Sequence, residues 1–415
     1  MCTRRGKAPA ARKPDRAADV AVINFRQWPA WALAIFYAVF GMSLPLMAAI
    51  LPDERLDILY HRYSGDQVTV DGPSILGRKS LGKHTSVYAN YYTDSVSSAS
   101  IDVRTYASPY TEDRKEYSIG VDTLFDNSTI SLGFTNSEEN DYSSDTYHFS
   151  TSHTMFGDLT TVDLGFSLGN DQVRKNSYDA DGKYAGNDPG FGSEALTRRN
   201  YSVGLTQIFT KNLIMNFAFE AVSDEGFTRN PYRSALMIDN TNHVQPTPEE
   251  YPGTRTSDAI AIRANYYLPY RAALKFEYKY YQDSWDITAH TYKIGYTHPF
   301  SDRWTWDFHY RVYQQDQASF YYDIMPRGGA VTIVGRDKEL SAFSSQGIGV
   351  GASYEFWQNG WWQLDKGSVS FSYERVSFDY DNFSDYEGLL GTTNTQGRPF
   401  AYSADVLEIY FSVWY

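Results

Sequence analysis

The sequence predicts an all-β chain: a transmembrane antiparallel up-and-down β-barrel of about sixteen strands behind an N-terminal signal peptide. Three observations carry that expectation. Apolar and polar residues alternate with period two along most of residues 56–415. The apolar parity is crowded with aromatics and the polar one with Gly, Ser, Asp and Lys, as lipid outside and water inside require. Connections alternate short and long, and the last strand is amphipathic and ends at Tyr415, which resembles a C-terminal barrel-assembly signal.

Composition narrows the field. The 415 residues include 35 Tyr, 24 Phe and 9 Trp but a single cysteine, Cys2. That excludes a disulfide scaffold and a disordered chain. Mean hydropathy is −0.48, too low for a bundle of apolar helices. A formal charge of −13 argues against nucleic-acid binding.

Residues 1–48 read as a signal peptide with an extended basic leader. Arg4, Arg5, Lys7, Arg12, Lys13, Arg16 and Arg26 precede an uncharged run that ends in small residues at Ala48 and Ala49. An uncleaved anchor helix is the alternative, and the true start could lie near Val20 or Val22. Removal of 1–48 leaves 30 basic and 48 acidic residues in 49–415, a net of −18, in one barrel domain without cysteine.

The alternation places strands at 56–63, 73–81, 84–93, 115–125, 128–135, 145–155, 159–169, 197–208, 212–222, 256–268, 271–281, 287–298, 303–314, 338–356, 367–377 and 404–415. The first two are the least distinct, so fourteen strands is the alternative. An even number puts both ends on the periplasmic side. A soluble sandwich would alternate as well, but would not explain the aromatic parity or the loop asymmetry. Short turns near 126–127, 156–158, 210–211, 268–271, 300–302 and 359–360 face long loops at 94–114, 170–196, 223–254, 315–336 and 378–402. The low-charge segment 97–104 is a candidate plug.

Aromatic girdles are expected where the wall crosses each interface. Tyr270, Trp304, Trp357, Trp361 and Tyr415 are candidates for the periplasmic rim, and Tyr281, Trp285 and Tyr313 for the outer rim. Gly120, Gly133, Gly165, Gly204, Gly295 and Gly349 fall on the inward parity, where they can relieve crowding or seat a neighbour's aromatic ring.

The same parity carries the candidate lumen residues Arg263, Lys275, Lys279, Lys293 and Arg311. Opposed to them are Asp163, Glu220, Glu277, Asp307, Glu355, Glu374 and Glu408. Two arrangements fit: opposed charged rows that select solutes, or pairs that neutralise each other across strands. The eight histidines lack helix-type zinc spacing, so no transition-metal site is expected. Asp179-Ala-Asp-Gly182 begins like a calcium loop but has Gly190 where a bidentate Glu is needed. His148-Phe-Ser150 has the spacing of a lipase pair, yet Val162 stands where an orienting Asn belongs. No catalytic residue and no cofactor is expected.

Several stretches resemble the uncharacterised bacterial family known as domain of unknown function 3570 (DUF3570). They are Leu59-Tyr-His-Arg-Tyr63, Val70-Asp-Gly-Pro-Ser74, Ser95-Val-Ser-Ser-Ala-Ser-Ile-Asp-Val103, Phe156-Gly-Asp-Leu-Thr-Thr161, Asn230-Pro-Tyr-Arg233, Tyr266-Tyr-Leu-Pro-Tyr-Arg-Ala-Ala273, Gly295-Tyr-Thr-His-Pro-Phe300 and Arg336-Asp-Lys-Glu-Leu340. The resemblance implies a Gram-negative outer-membrane barrel and assigns no catalytic residues. Family members tend to be encoded near a flavin transferase and a small lipoprotein, which implies a link to an envelope redox system.

The expected function is therefore a porin-like channel or transport component for a small solute. Expected partners are outer-membrane lipid, lipopolysaccharide and the barrel-assembly machinery. The alternative is a partner-bound scaffold or conduit for a periplasmic redox protein or lipoprotein; an envelope enzyme is a third class.

Overall fold

The computed structural model describes residues 51–98, 110–178, 184–325 and 332–415. The expected signal segment 1–48, most of the candidate plug 97–104 and the loop Asp179–Gly182 lie outside them. The strands are β1 (Arg55–Gly65), β2 (Val68–Ser80), β3 (Thr85–Ser98), β4 (Tyr110–Phe125), β5 (Ser128–Glu138), β6 (Tyr142–Met155), β7 (Thr160–Val173), β8 (Asn176–Tyr178), β9 (Tyr184–Asn187) and β10 (Glu194–Thr210). They continue as β11 (Leu213–Gly226), β12 (Ser234–Ile238), β13 (Val244–Pro248), β14 (Thr254–Tyr267), β15 (Ala273–Asp283), β16 (Thr288–Pro299), β17 (Trp304–Gln315), β18 (Phe343–Phe356), β19 (Lys366–Asp385) and β20 (Arg398–Trp414).

Sixteen of these form one closed barrel, all but β8, β9, β12 and β13. Every neighbouring pair is antiparallel, and β20 closes on β1 from Arg55↔Trp414 to Gly65↔Ala404. Closure leaves no free strand edge, so each wall amide can be bonded without water. Each expected strand has its counterpart, and fourteen is excluded.

Several boundaries differ for local reasons. The strand expected from 338 starts at Phe343, because Lys338–Leu340 form a 3-10 turn capped by the Asp337 carboxylate. β2 begins at Val68, since β1 and β2 are joined by only Asp66 and Gln67. Both have positive φ, as a two-residue hairpin turn matched to strand twist needs. Within β2, the register runs Asp71↔Ser95 then Ser74↔Tyr92. Pro73 has no N–H to offer at that break. Gly72 lies so close to β3 that a Cβ would strike the Thr93 carbonyl.

One parity of the wall presents exposed apolar side chains, including Ile119, Leu132, Ile294 and Ile348, and is the outer face. On β10 it runs from Phe209 to Tyr201, roughly 20 Å of height at the usual rise and tilt. Above it a polar border begins abruptly. Tyr60, Tyr117, Tyr147, Tyr201, Tyr280, Tyr292 and Tyr373 are each followed at the next outward position by Arg62, Lys115, Asp145, Arg199, Gln282, His290 and Arg375. Hydroxyls reach up to that border: Tyr60 donates to Asp71 (3.1 Å), Tyr310 to Gln346 (2.9 Å) and Tyr373 to Asp405 (2.7 Å). Rings also pair across strands, as in Tyr91–Tyr117 at 5.1 Å and Phe166–Tyr201 at 5.2 Å. This is the upper girdle, an apolar ring with a wet hydroxyl at each interface position.

The two ends of the barrel differ. One carries Arg55, Trp414 and short turns such as 126–127 and 211–212. The other carries the long connections 174–193, 227–253, 316–342 and 386–397, together with the short turns 66–67, 139–141 and 284–287. Two hairpins in the long connections, β8–β9 and β12–β13, stand outside the sequence expectation.

Candidate functional site

The inner wall is built on a repeated device. A glycine on one strand leaves room for a side chain from the strand before it to lie across and meet a partner on the strand after it. His61 on β1 pairs in register with Gly72 on β2 and reaches Asp94 on β3 at 2.5 Å. Lys275 on β15 lies against Gly295 on β16 and reaches Asp307 on β17 at 2.7 Å. His309 on β17 covers Gly349 on β18 and comes within 3.3 Å of Glu374 on β19. Tyr88 on β3 crosses Gly120 on β4 to Gly133 on β5, the aromatic seat expected of such glycines.

These contacts decide much between the two arrangements of lumen charge. Arg263 is paired with Glu277 at 2.7 Å and also donates to Asn216. Lys275 is paired with Asp307, to which Thr297 also donates. Asn200 donates to Glu220 at 2.6 Å, and Gln358 to Glu355 at 3.3 Å near a short turn. Cross-strand pairing therefore describes Arg263, Lys275, Glu220, Glu277 and Asp307, while Glu355 is held locally from its own turn. Lys279, Lys293 and Arg311 are the exceptions: they lie on the same parity but form no ion pair among the described residues. The His148 ring reaches the Thr135 hydroxyl at 3.3 Å, while Val162 faces outward, away from the His148–Ser150 pair.

Above this wall the long connections fold into a cap with its own apolar cores. Trp285 and Ile287, in the turn after β15, pack with Ala318, Phe320, Tyr321 and Leu340, against Tyr251 and Tyr281. Ala235 packs with Met325 and Val334, and Leu236 with Val244 and Tyr386. Backbone bridges Met237↔Met325 and Glu250↔Val334 join connection 227–253 to 316–342. Arg336, only 3% exposed, ties three connections together. Its backbone N–H donates to Glu249 (2.6 Å), and its guanidinium to the Asp323 carbonyl (2.7 Å) and the Ser384 carbonyl (2.5 Å). That guanidinium also lies over the Phe383 and Tyr386 rings at 4.6 and 5.2 Å.

The expected outer-rim aromatics are corrected here. Trp285 is 4% exposed inside a cap core, with its indole N–H donating to the Thr254 carbonyl. Tyr281 and Tyr313 stand on the inward parity; Tyr281 packs under the cap and Tyr313 against Phe343 at 5.4 Å. The true girdle lies one position away in parity. At the other end, Trp304 (42% exposed) and Tyr270 (59%) stand near the short turns, Trp357 stacks on Trp361 at 4.7 Å, and the Tyr415 hydroxyl donates to the Arg78 carbonyl.

The cap crosses the mouth, and the strand order demonstrates it. Counting round the ring, turn 66–67 follows the first strand, turn 139–141 the fifth, connection 227–253 the ninth and connection 316–342 the thirteenth. These four points are a quarter of the circumference apart. A chain of contacts joins all four. Tyr232 donates to Asp141 at 2.5 Å; its neighbour Arg233 is ion-paired with Asp337; and Lys338, next to Asp337, meets Asp66 at 2.5 Å. Sixteen strands at ordinary spacing and tilt make a ring roughly 30 Å across, too wide for wall side chains alone to fill. The connections span what the wall leaves open. Sequence reading missed this cap, although its signal was present: Phe343, Phe378, Tyr380, Phe400 and Tyr402 place aromatics on the otherwise polar parity at this end.

Comparison with solved structures finds a bacterial polysaccharide outer membrane secretin (8% identity, TM-score 0.47, covering 90% of this chain and 100% of that one). It also finds the siderophore receptor PirA from Acinetobacter baumannii (8%, 0.44, 80% and 53%) and the ferric enterobactin receptor PfeA (12%, 0.43, 81% and 55%). The chain spans about half the length of those two receptors. No curated protein matches. The family model described as "Protein of unknown function (DUF3570)" matches residues 101–399, and the chain, an outer-membrane-type β-barrel, belongs to that family.

Proposed function

We propose that the protein is an outer-membrane transport barrel whose passage is gated at the external mouth by its own connections. The contact chain from Asp141 through Arg233 and Asp337 to Asp66 carries this reading, because it joins four quarter-points of the mouth. A permanently open pore would not need that chain. In this reading the end of the barrel that carries Arg55, Trp414 and the turns 126–127 and 211–212 faces the periplasm, lipid and lipopolysaccharide surround the tyrosine-bordered band, and the strand ending at Tyr415 is read by the assembly machinery. The inner wall binds and guides a small solute; it performs no chemistry.

The test is conductance in planar bilayers. The full chain is expected to conduct rarely. A variant with residues 229–252 replaced by a short Gly-Ser linker is expected to give stable open steps. Equal conductance from both, or silence from both with insertion verified, would overturn the gated passage.

A further inference from the structure

We propose that Lys279, Lys293 and Arg311 form an anion-binding station on the inner wall, made for a small solute bearing carboxylate or phosphate groups; this rests on the reading of the lumen as a passage. Lys293 and Arg311 are direct cross-strand partners on β16 and β17. Lys279 on β15 pairs with Thr291, which makes it the diagonal neighbour of Lys293. Cross-strand partners have their Cβ atoms about 5 Å apart and diagonal ones about 7 Å, so three cations converge on one patch.

Like charges directly opposite each other weaken a sheet unless something neutralises them. The wall does so only in part. Glu277 is beside Lys293 in register but is taken by Arg263 at 2.7 Å. Asp307 is taken by Lys275 at 2.7 Å. Glu374 lies over Gly347, the register partner of Arg311, and its charge faces Arg311 and Lys293 as well as His309 at 3.3 Å. One shared carboxylate thus stands before three cations, and the patch keeps an excess of positive charge. This excess positive charge stands inside a chain with 50 acidic and 37 basic residues, so it is not the spill of a generally basic surface. An ammonium group flanked by a guanidinium fork on one side and a second ammonium on the other suits a planar carboxylate or a phosphate, with the fork setting orientation and the lysines adding charge. In a water-filled wall such a strip raises the local concentration of anions.

Isothermal titration calorimetry on the full chain in detergent tests this, with citrate and inorganic phosphate as separate probes. Saturable binding of at least one probe is expected, weakening as KCl is raised. Binding should fall roughly tenfold or more in Lys293→Gln/Arg311→Gln. Arg375→Gln, which removes a cation from the outer face, should bind as the unmodified protein does. Binding of one probe alone assigns the solute to that chemistry. Removing like charges should not impair folding, which heat-modifiable gel migration checks; the salt dependence of the unmodified protein gives a second readout. No saturable binding of either probe, or equal binding by the double variant, would overturn the station. Failure here with open conductance from the cap variant would leave the gated passage standing. Binding here with a silent cap variant would overturn the passage alone.

Discussion

At the scale of residues, the informative positions are the small ones. Gly72, Gly295 and Gly349 let His61, Lys275 and His309 cross a strand and find partners two strands away. Gly72→Val should therefore displace β3 and cost roughly 1–3 kcal/mol, while Gly77→Val, with open space around it, should be close to neutral. Urea unfolding in detergent measures the difference; equal costs would contradict the crossing arrangement. A second residue-scale prediction concerns acid. Burial raises the Asp141 carboxyl above its usual range, against the opposing effect of Tyr232 donation; burial and the Asp141 charge raise Glu139. Both groups hold protons more tightly when folded. Their contribution is full below about pH 4, the unfolded range, and is lost as pH rises through the folded values. Cap melting followed by near-UV circular dichroism should thus shift upward on mild acidification, and Asp141→Asn should flatten that shift.

At the scale of elements, wall and cap were unequally legible. Alternation revealed the wall because only every second residue meets lipid, and runs such as Trp304–Gln315 display it fully. The cap has no such period. Ser234–Ile238 buries both Ala235 and Leu236, on opposite faces, so its sequence shows no alternation and looks like loop. Tyr281 and Tyr313 lie at the end of the barrel that carries the long connections, where a girdle is expected, whereas their parity points inward. Distance from a turn located them along the strand, and parity alone could have located them across the wall. The candidate charges were legible as inward-facing; which of them pair depends on glycines in intervening strands, and that is a property of register. Two stretches carrying the family resemblance, Asn230–Arg233 and Arg336–Leu340, are the ones that meet across the mouth. Arg336→Ala would leave the Asp323 carboxylate and the Ser384 carbonyl beside an empty cavity and should destabilise the cap by roughly 3–5 kcal/mol. Limited proteolysis should then cut connections 227–253 and 316–342 while the barrel keeps its heat-modifiable migration. Loss of the barrel before the cap would contradict a cap that folds as its own unit.

At the scale of the whole molecule, closure of sixteen strands explains both the hydrophilic average and the wealth of tyrosine. Half of each strand faces water, and many of the tyrosines stand in the outer girdle or on the aromatic underside of the cap. The central claim is that this underside belongs to a gate. The most direct measurement uses Asp66→Cys/Lys338→Cys, in a chain whose one native cysteine is Cys2. Conductance is recorded across planar bilayers before and after a bis-maleimide cross-linker is added. The variant has lost the contact of Lys338 with Asp66 and should conduct; the cross-linker should restore that tether and silence it. Conductance unchanged by a verified cross-link would contradict the gate.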